Sequence, residues 1–262
     1  MNKDLNQSII IHNAQAKYYK YRTPYIPRLF ADIEKKLQIS NKSILLDLCC
    51  GTGEISKGFA EGSCNKIYSI DGSEEMLNLA YLSHKIKYIC IDVNTKLFEC
   101  PELVDFIFIG RAIHWLEPKM LQKLVKKNLK ENGSIIILNA QWGTHEKWYL
   151  KYNAVLQKYT QQLKIVKKIT SKVPDFTGKN TMEEIGFKEV DKISVQTKGK
   201  FNINWLINHT LSSNYAENLI ALESNIFEFK NEMSKKLASF LREDNLQGRF
   251  SSWAIIYKKN KN

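Results

Sequence analysis

Three observations predict an α/β fold built on a parallel sheet covered on both faces. Short apolar runs alternate with amphipathic stretches between residues 27 and 138, the runs are apolar at consecutive positions, and the first of them ends in a glycine turn that opens a helix. After Pro27, the positions Leu29, Phe30, Ile33 and Leu37 recur at helical spacing, with Lys and Asp between them. The run Ser43 to Leu48 predicts a strand, and Gly51-Thr52-Gly53 leads into a second helix through Ile55, Phe59 and Ala60. The pattern continues with a strand over Lys66 to Ile70, a helix over Glu74 to Leu82, and strands over Lys87 to Ile91 and Val104 to Ile109. A helix over Pro118 to Leu129 and a strand over Ser134 to Leu138 complete it.

Beyond Ala140 the alternation stops. The Trp-, Tyr- and Lys-rich stretch from Trp142 to Lys172 predicts a surface helix with loops around it. Thr181 to Ile185 predicts a short helix closed by Gly186, and Lys188 to Thr197 alternates as a half-buried strand does. Helical stretches around Asn204 to Leu211 and Ala216 to Leu241 precede a last strand from Ser251 to Lys258. Without an internal repeat or low-complexity linker, residues 1–262 are expected to form one domain with two insertions, at 142–175 and 201–245.

Composition narrows the function classes. The 262 residues are 44% hydrophobic and 25% charged, as in a globular chain, and the longest apolar stretches fall far short of the ~18 residues of a membrane-spanning helix. The start Met1-Asn2-Lys3-Asp4 lacks the apolar core of a secretory signal, and the five Cys include the adjacent pair Cys49-Cys50, so a reducing cytoplasm is expected. Of the +12 net charge, residues 119–172 contribute most, with 12 Lys against only Glu131 and Glu146. Such a face attracts RNA or an anionic partner, or is simply solvated; no arginine cluster or aromatic-interleaved basic repeat favours nucleic acid.

The chemistry gathers where the first four strands end, which is where open parallel sheets bind ligands. In Asp47-Leu48-Cys49-Cys50-Gly51-Thr52-Gly53-Glu54, the glycines allow close backbone approach and the following helix presents free N–H groups. Asp71, 18 residues after Gly53, ends the second strand, where a carboxylate accepts from both hydroxyls of an adenosine ribose. Asp92 ends the third, within reach of an adenine amino group; each acid has the alternative of capping its own turn. Two adenosine-bearing cofactors use this topology. NAD is disfavoured, because Ser56 stands where a third glycine would and Asp47 would crowd a pyrophosphate. S-adenosylmethionine, with its amino group and sulfonium, suits the acid.

With these motifs the chain resembles class I S-adenosylmethionine-dependent methyltransferases acting on small molecules, including the trans-aconitate type. The resemblance runs nearly end to end and implies a Rossmann-like, seven-stranded, mostly parallel sheet whose last strand is antiparallel, with the two insertions as a helical lid over the acceptor. It implies cofactor contacts from Asp47, Gly51, Thr52 and Gly53, from Asp71, Gly72 and Met76 in Ile70-Asp71-Gly72-Ser73-Glu74-Glu75-Met76-Leu77, from Asp92-Val93, and from Gly110. Arg22 in Tyr21-Arg22-Thr23-Pro24-Tyr25 resembles an element that pairs with the methionine carboxylate. Ile109-Gly110-Arg111-Ala112-Ile113-His114-Trp115 resembles the segment beside the transferred methyl, and Lys130-Glu131-Asn132-Gly133-Ser134 the turn before the fifth strand. Cys49 departs from the pattern, since relatives often carry Gly there.

Methyl transfer asks the protein to align a nucleophile and exclude water. His114 is the candidate base for a hydroxyl or amine acceptor, the alternative being that it only shapes the pocket. Arg111, Trp115 and Trp142 are candidate acceptor contacts, with solvation or core packing as their alternatives. No cysteine or histidine spacing suggests a metal site, and the Asn-Pro-Pro-Tyr motif of base-methylating enzymes is absent. The leading expectation is a small-molecule methyltransferase, with specialised metabolism as one setting. The alternatives are an RNA methyltransferase using residues 119–172 and a non-catalytic S-adenosylmethionine-binding module.

Overall fold

The computed structural model describes residues 16–143, 146–161, 175–213 and 223–260. His145 and the greater part of the basic run after Gln161 lie outside them, as do residues 214–222 of the second expected insertion. The strands are β1 (Ile44–Leu48), β2 (Lys66–Asp71), β3 (Ile86–Cys90), β4 (Val104–Gly110), β5 (Leu129–Gly143), β6 (Phe187–Phe201) and β7 (Leu246–Lys259). The helices are α1 (Pro27–Leu37), α2 (Glu54–Ala60), α3 (Glu74–Asn78), α4 (Pro118–Asn128), α5 (Lys147–Gln161), α6 (Lys179–Glu184), α7 (Ile203–Leu211) and α8 (Glu223–Leu237). The seven strands form one sheet in the order β3-β2-β1-β4-β5-β7-β6, and the pairings from β3 through to β5 are all parallel. No described helix is long and apolar enough to cross a membrane.

The chain divides into two compact units. The larger, Tyr25–Ala140 with Val173–Val195 and Ser251–Asn262, has a core on each face of its sheet, because successive strand residues point to opposite sides. Leu46, Leu48, Ile107 and Ile109 enter one core with Leu121 and Leu124 of α4, while Leu45 and Phe108 enter the other with Leu29, Ile33 and Phe59 of α1 and α2. Each such fully buried side chain stabilises the fold by about 1.5–3 kcal/mol. α1 starts at Pro27, whose missing N–H costs nothing at a helix's first position, and stops at Gln38 in the left-handed conformation. The other unit, Met1–Pro24 with Gln141–Lys172 and Gln196–Phe250, is cored by Trp148, Tyr152, Leu206, Phe229, Met233 and neighbouring side chains.

Three expectations need correction. α3 ends at Asn78 rather than at Leu82, because Tyr81 N–H donates to Thr52 O and Tyr88 Oη–H to Tyr81 O, which draws the chain away from the helical path and leaves Leu79 and Leu82 exposed. The turn at 130–134 is no separate element: it lies inside β5. Val104 pairs with Leu129 and Phe106 with Ser134, so the extra residues bulge outward with Glu131 and Asn132 exposed. The late strands are also longer than their alternating segments suggested, at 15 residues for β5 and β6 and 14 for β7.

Candidate functional site

The glycine turn is built by its own backbone and two flanking acids. Cys50 N–H donates to Ile70 O at 2.9 Å and Gly53 N–H to Cys50 O at 2.9 Å, closing a tight loop between β1 and α2. Gly51 (φ 56°) and Gly53 (φ 72°) occupy the left-handed region that glycine enters without strain, and a Cβ on Gly53 would lie 2.2 Å from Tyr88 Oη. Cys49 adopts the same conformation (φ 55°) without that freedom, and its side chain packs against the core with Leu48 and Val93. Burial, then Asp71, push its thiol well above the ordinary range; burial does the same to Cys50, so neither is a nucleophile near neutral pH.

Asp47, at the C-terminal end of β1, is 1% exposed. Its Oδ2 accepts Ser56 N–H at 3.1 Å and Ser56 Oγ–H at 2.6 Å, while no described residue donates to Oδ1. Burial raises its pKa to about 7, against the two bonds from Ser56. Asp71 ends β2 and ties two turns together: Oδ2 accepts Gly51 N–H at 2.7 Å and Oδ1 accepts Ser73 N–H at 2.9 Å. Burial raises its pKa, opposed by N–H groups of Ser73, Gly51 and Gly72. With three N–H groups on its two oxygens, the Asp71 carboxylate keeps a lone pair beyond these bonds. Asp92 does cap its own turn, accepting Asn94 N–H at 3.0 Å. Val93 and Met76 are both buried, Val93 within the core that holds Ile109, and Ser73 caps α3 by accepting Met76 N–H.

At the end of β4, Gly110 has a packing reason of its own, since a Cβ there would lie 2.4 Å from Ile55 Cδ1 and 2.8 Å from Tyr25 Oη. Arg111 (φ 55°) turns its guanidinium to Glu54 Oε2 at 2.5 Å and over the Tyr25 ring at 4.6 Å, while Glu54 Oε1 accepts Tyr25 N–H at 2.8 Å. The guanidinium therefore fastens the start of α1 to the start of α2. Sequence reading quoted Glu54 only as the end of the glycine motif and gave it no role, because its partner Arg111 lies 57 residues away.

His114 and Trp115 lie in a 3-10 turn, Ile113–Trp115, with ring centroids 4.8 Å apart. Phe176, which sequence reading also missed, sits edge-on to His114 at 5.3 Å. Asn94 clasps this turn to the one after β3: its Nδ2 donates to Trp115 O at 2.8 Å and its Oδ1 accepts Glu117 N–H at 2.9 Å. Asp47, Asp71, Asp92, Gly110, Arg111, His114 and Trp115 thus all belong to the larger unit, at or just beyond the C-terminal ends of β1 to β4.

Arg22 and Trp142 belong to the other unit. The Arg22 guanidinium lies 5.5 Å from the Tyr19 ring, and Trp142 stacks on Trp148 at 5.7 Å amid Tyr149, Tyr152 and Phe201. Trp142 Nε1–H donates to His209 Nδ1 at 3.2 Å, which leaves the other ring nitrogen to Thr23 Oγ1 at 3.0 Å. In the basic segment, Lys127, Lys130 and Lys158 are ion-paired with Glu99, Asp105 and Glu232. No group of three or more metal-ligating side chains occurs among the described residues.

Residues 45–133 match the family of methyltransferase domains. A methyltransferase of Schizosaccharomyces pombe, itself uncharacterized, is 28% identical over 130 residues, covering 46% of this chain and 49% of its own length. The chain thus spans about half of that relative. A demethylmenaquinone methyltransferase of Lactobacillus johnsonii is 24% identical over 176 residues, covering 60% of this chain and 72% of its own length. Among solved structures, an S-adenosylmethionine-dependent methyltransferase from Thiobacillus denitrificans, in complex with S-adenosylhomocysteine, superposes with a TM-score of 0.53. It is 14% identical and covers 95% of this chain and 97% of its own, a likeness of fold.

Proposed function

From a chain whose residues 45–133 match the family of methyltransferase domains, we infer a class I methyltransferase, an enzyme that transfers a methyl group from S-adenosylmethionine to a small-molecule acceptor. The observation that carries this reading is the Asp71 carboxylate, which fixes the glycine turn and the start of α3 at once and, beyond the N–H groups of Gly51, Ser73 and Gly72, retains a lone pair for a further donor, as a ribose hydroxyl is. The donor set fits the cofactor: Asp47 Oδ1 is a buried acceptor that no described residue serves, at a turn whose glycines let a ligand approach the backbone. In this reading Gly51, Thr52, Gly53 and Gly72 line the cofactor by their backbone, Asp71 holds the ribose, and Asp92 with Val93 and Met76 borders the adenine.

When bound, the sulfonium supplies an activated methyl group and departs as a neutral thioether. His114 takes the proton that a hydroxyl acceptor loses as its oxygen bonds to the methyl carbon, and Trp115 shields that oxygen from water. Arg111, occupied by Glu54 and Tyr25, holds the floor of the site and is a weaker candidate for acceptor binding. A small-molecule acceptor agrees with the name of the Lactobacillus johnsonii relative and with the pairing of three basic-segment lysines, which leaves less free charge for RNA. Specialised metabolism is one setting for such an activity.

Calorimetry with S-adenosylmethionine, S-adenosylhomocysteine and NAD tests the reading. Binding of the first two, weakened by Asp71→Ala, supports it. Binding of NAD alone, or of none, overturns it. Cofactor binding without turnover on any hydroxyl, amine or carboxylate acceptor would instead favour a regulatory module.

A further inference from the structure

Large apolar side chains on protein surfaces are common singly and need no explanation. Phe176 differs in how it is held. It is 41% exposed on a loop of the sequence Asp175-Phe176-Thr177-Gly178, whose other members are all engaged in fixing that loop. Asp175 Oδ1 accepts Thr177 N–H at 3.1 Å, Thr177 Oγ1–H at 2.5 Å and Gly178 N–H at 3.1 Å, and its Oδ2 accepts Asn180 N–H at 3.1 Å. From β7, Tyr257 Oη–H donates to Thr177 O at 3.0 Å. Gly178 (φ 71°) then comes so close to Ile137 and Ile113 that a Cβ would lie 2.3 Å and 2.8 Å from them. Ile113 is the first residue of the turn that bears His114 and Trp115, so loop and turn are packed as one piece.

The result is a histidine ring with two aromatic rings against it. Trp115, 37% exposed, is tilted at 42° to it, and Phe176 stands at 79°. Two exposed rings whose backbones are already fixed lose little freedom when a ligand packs on them, which is the condition for strong recognition by few contacts. Their quadrupoles favour a flat π-face over a saturated ring of equal bulk, which gains only from dispersion and burial.

We propose that Phe176 is a specificity-determining residue which, with Trp115, selects a planar aromatic acceptor and presents its hydroxyl to His114. The proposal rests on the methyltransferase reading and deepens it. It assigns the acceptor class from the rings: a fused or substituted phenol rather than an aliphatic alcohol, acid or amine.

Protein saturated with S-adenosylhomocysteine is titrated calorimetrically with 2-naphthol and with its saturated counterpart decahydro-2-naphthol. The wild type is expected to prefer 2-naphthol by about 3- to 10-fold or more, in line with a single ring contact of about 0.5–1.5 kcal/mol. Phe176→Ala should erase most of that preference, and Phe176→Tyr should keep it. S-adenosylhomocysteine affinity, unchanged in both variants, reports that the fold and cofactor site survive. The proposal fails if the wild type binds the two probes equally, if it binds neither while S-adenosylhomocysteine binds, or if Phe176→Ala retains the full preference. Loss of S-adenosylhomocysteine binding in the wild type would instead strike the underlying reading, and the proposal with it.

Discussion

The turn between Asp47 and Asp71 and the cluster around Trp142 are held by different forces. In the first, side-chain carboxylates accept backbone N–H groups: Asp71 from Gly51 and Ser73, Asp47 from Ser56. In the second, rings pack on rings, with Trp142 touching Trp148, Tyr149, Tyr152, Phe201 and His209. The first arrangement fixes a few backbone atoms by directional hydrogen bonds, which suits a surface that must meet a ligand. The second buries much area and spreads its stabilisation over many ring contacts, which suits a core.

If that contrast is right, substitutions in the two regions should differ in what they damage. The largest stability effect belongs to the ring cluster: Trp148→Ala removes a buried indole and its Nε1–H bond to Gln247 O and is expected to lower unfolding free energy by about 3–5 kcal/mol, read from a denaturant midpoint. Asp71→Ala should instead act mainly on ligand affinity. Losing a charged acceptor for a ligand hydroxyl costs about 1.5–3 kcal/mol, which is roughly a 10- to 100-fold rise in the Kd of S-adenosylhomocysteine. A stability loss with unchanged affinity would break the comparison.

Asp47 gives a pH-dependent test. Its pKa, raised by burial to about 7 from 3.8, means that the folded chain holds a proton there which the unfolded chain has released. Stability therefore falls as pH rises between about 4 and 7, and the cost of the buried charge is in full force above 7. Asp47→Asn should flatten that fall and exceed the wild type by up to about 4 kcal/mol at pH 8 in thermal unfolding. The smallest effect is expected at Cys49. Cys49→Gly relieves a left-handed strain of about 1–2 kcal/mol but adds about 0.5–1 kcal/mol of backbone entropy and removes a packed thiol, so the net change should stay within about 1 kcal/mol by denaturation.

How much of each region can be read in the sequence follows from the same contrast. The strands flanking the glycine turn fall within a residue of their expected limits, because apolar runs and glycine punctuation are local signals. The Asp47, Asp71 and Asp92 positions are likewise legible from spacing. What spacing does not carry is a partner far along the chain: Glu54 meets Arg111 across 57 residues, and His209 meets Thr23 across 186. Phe176 was illegible for a related reason, since a lone aromatic in a polar loop has no periodicity. The early stop of α3 and the bulge in β5 came from tertiary ties that overrode a locally plausible pattern.

The Asn94 clasp carries a thermodynamic consequence. One amide joins the turn that follows Asp92 to the turn that bears His114 and Trp115, so a ligand that orders either turn orders part of the other. A second ligand then spends less of its binding energy on ordering, and the two are expected to bind with positive cooperativity beyond what their direct contact supplies. By reciprocity the coupling is the same in either direction. An acceptor analogue would accordingly tighten on addition of S-adenosylhomocysteine in the wild type, and Asn94→Ala would uncouple the pair.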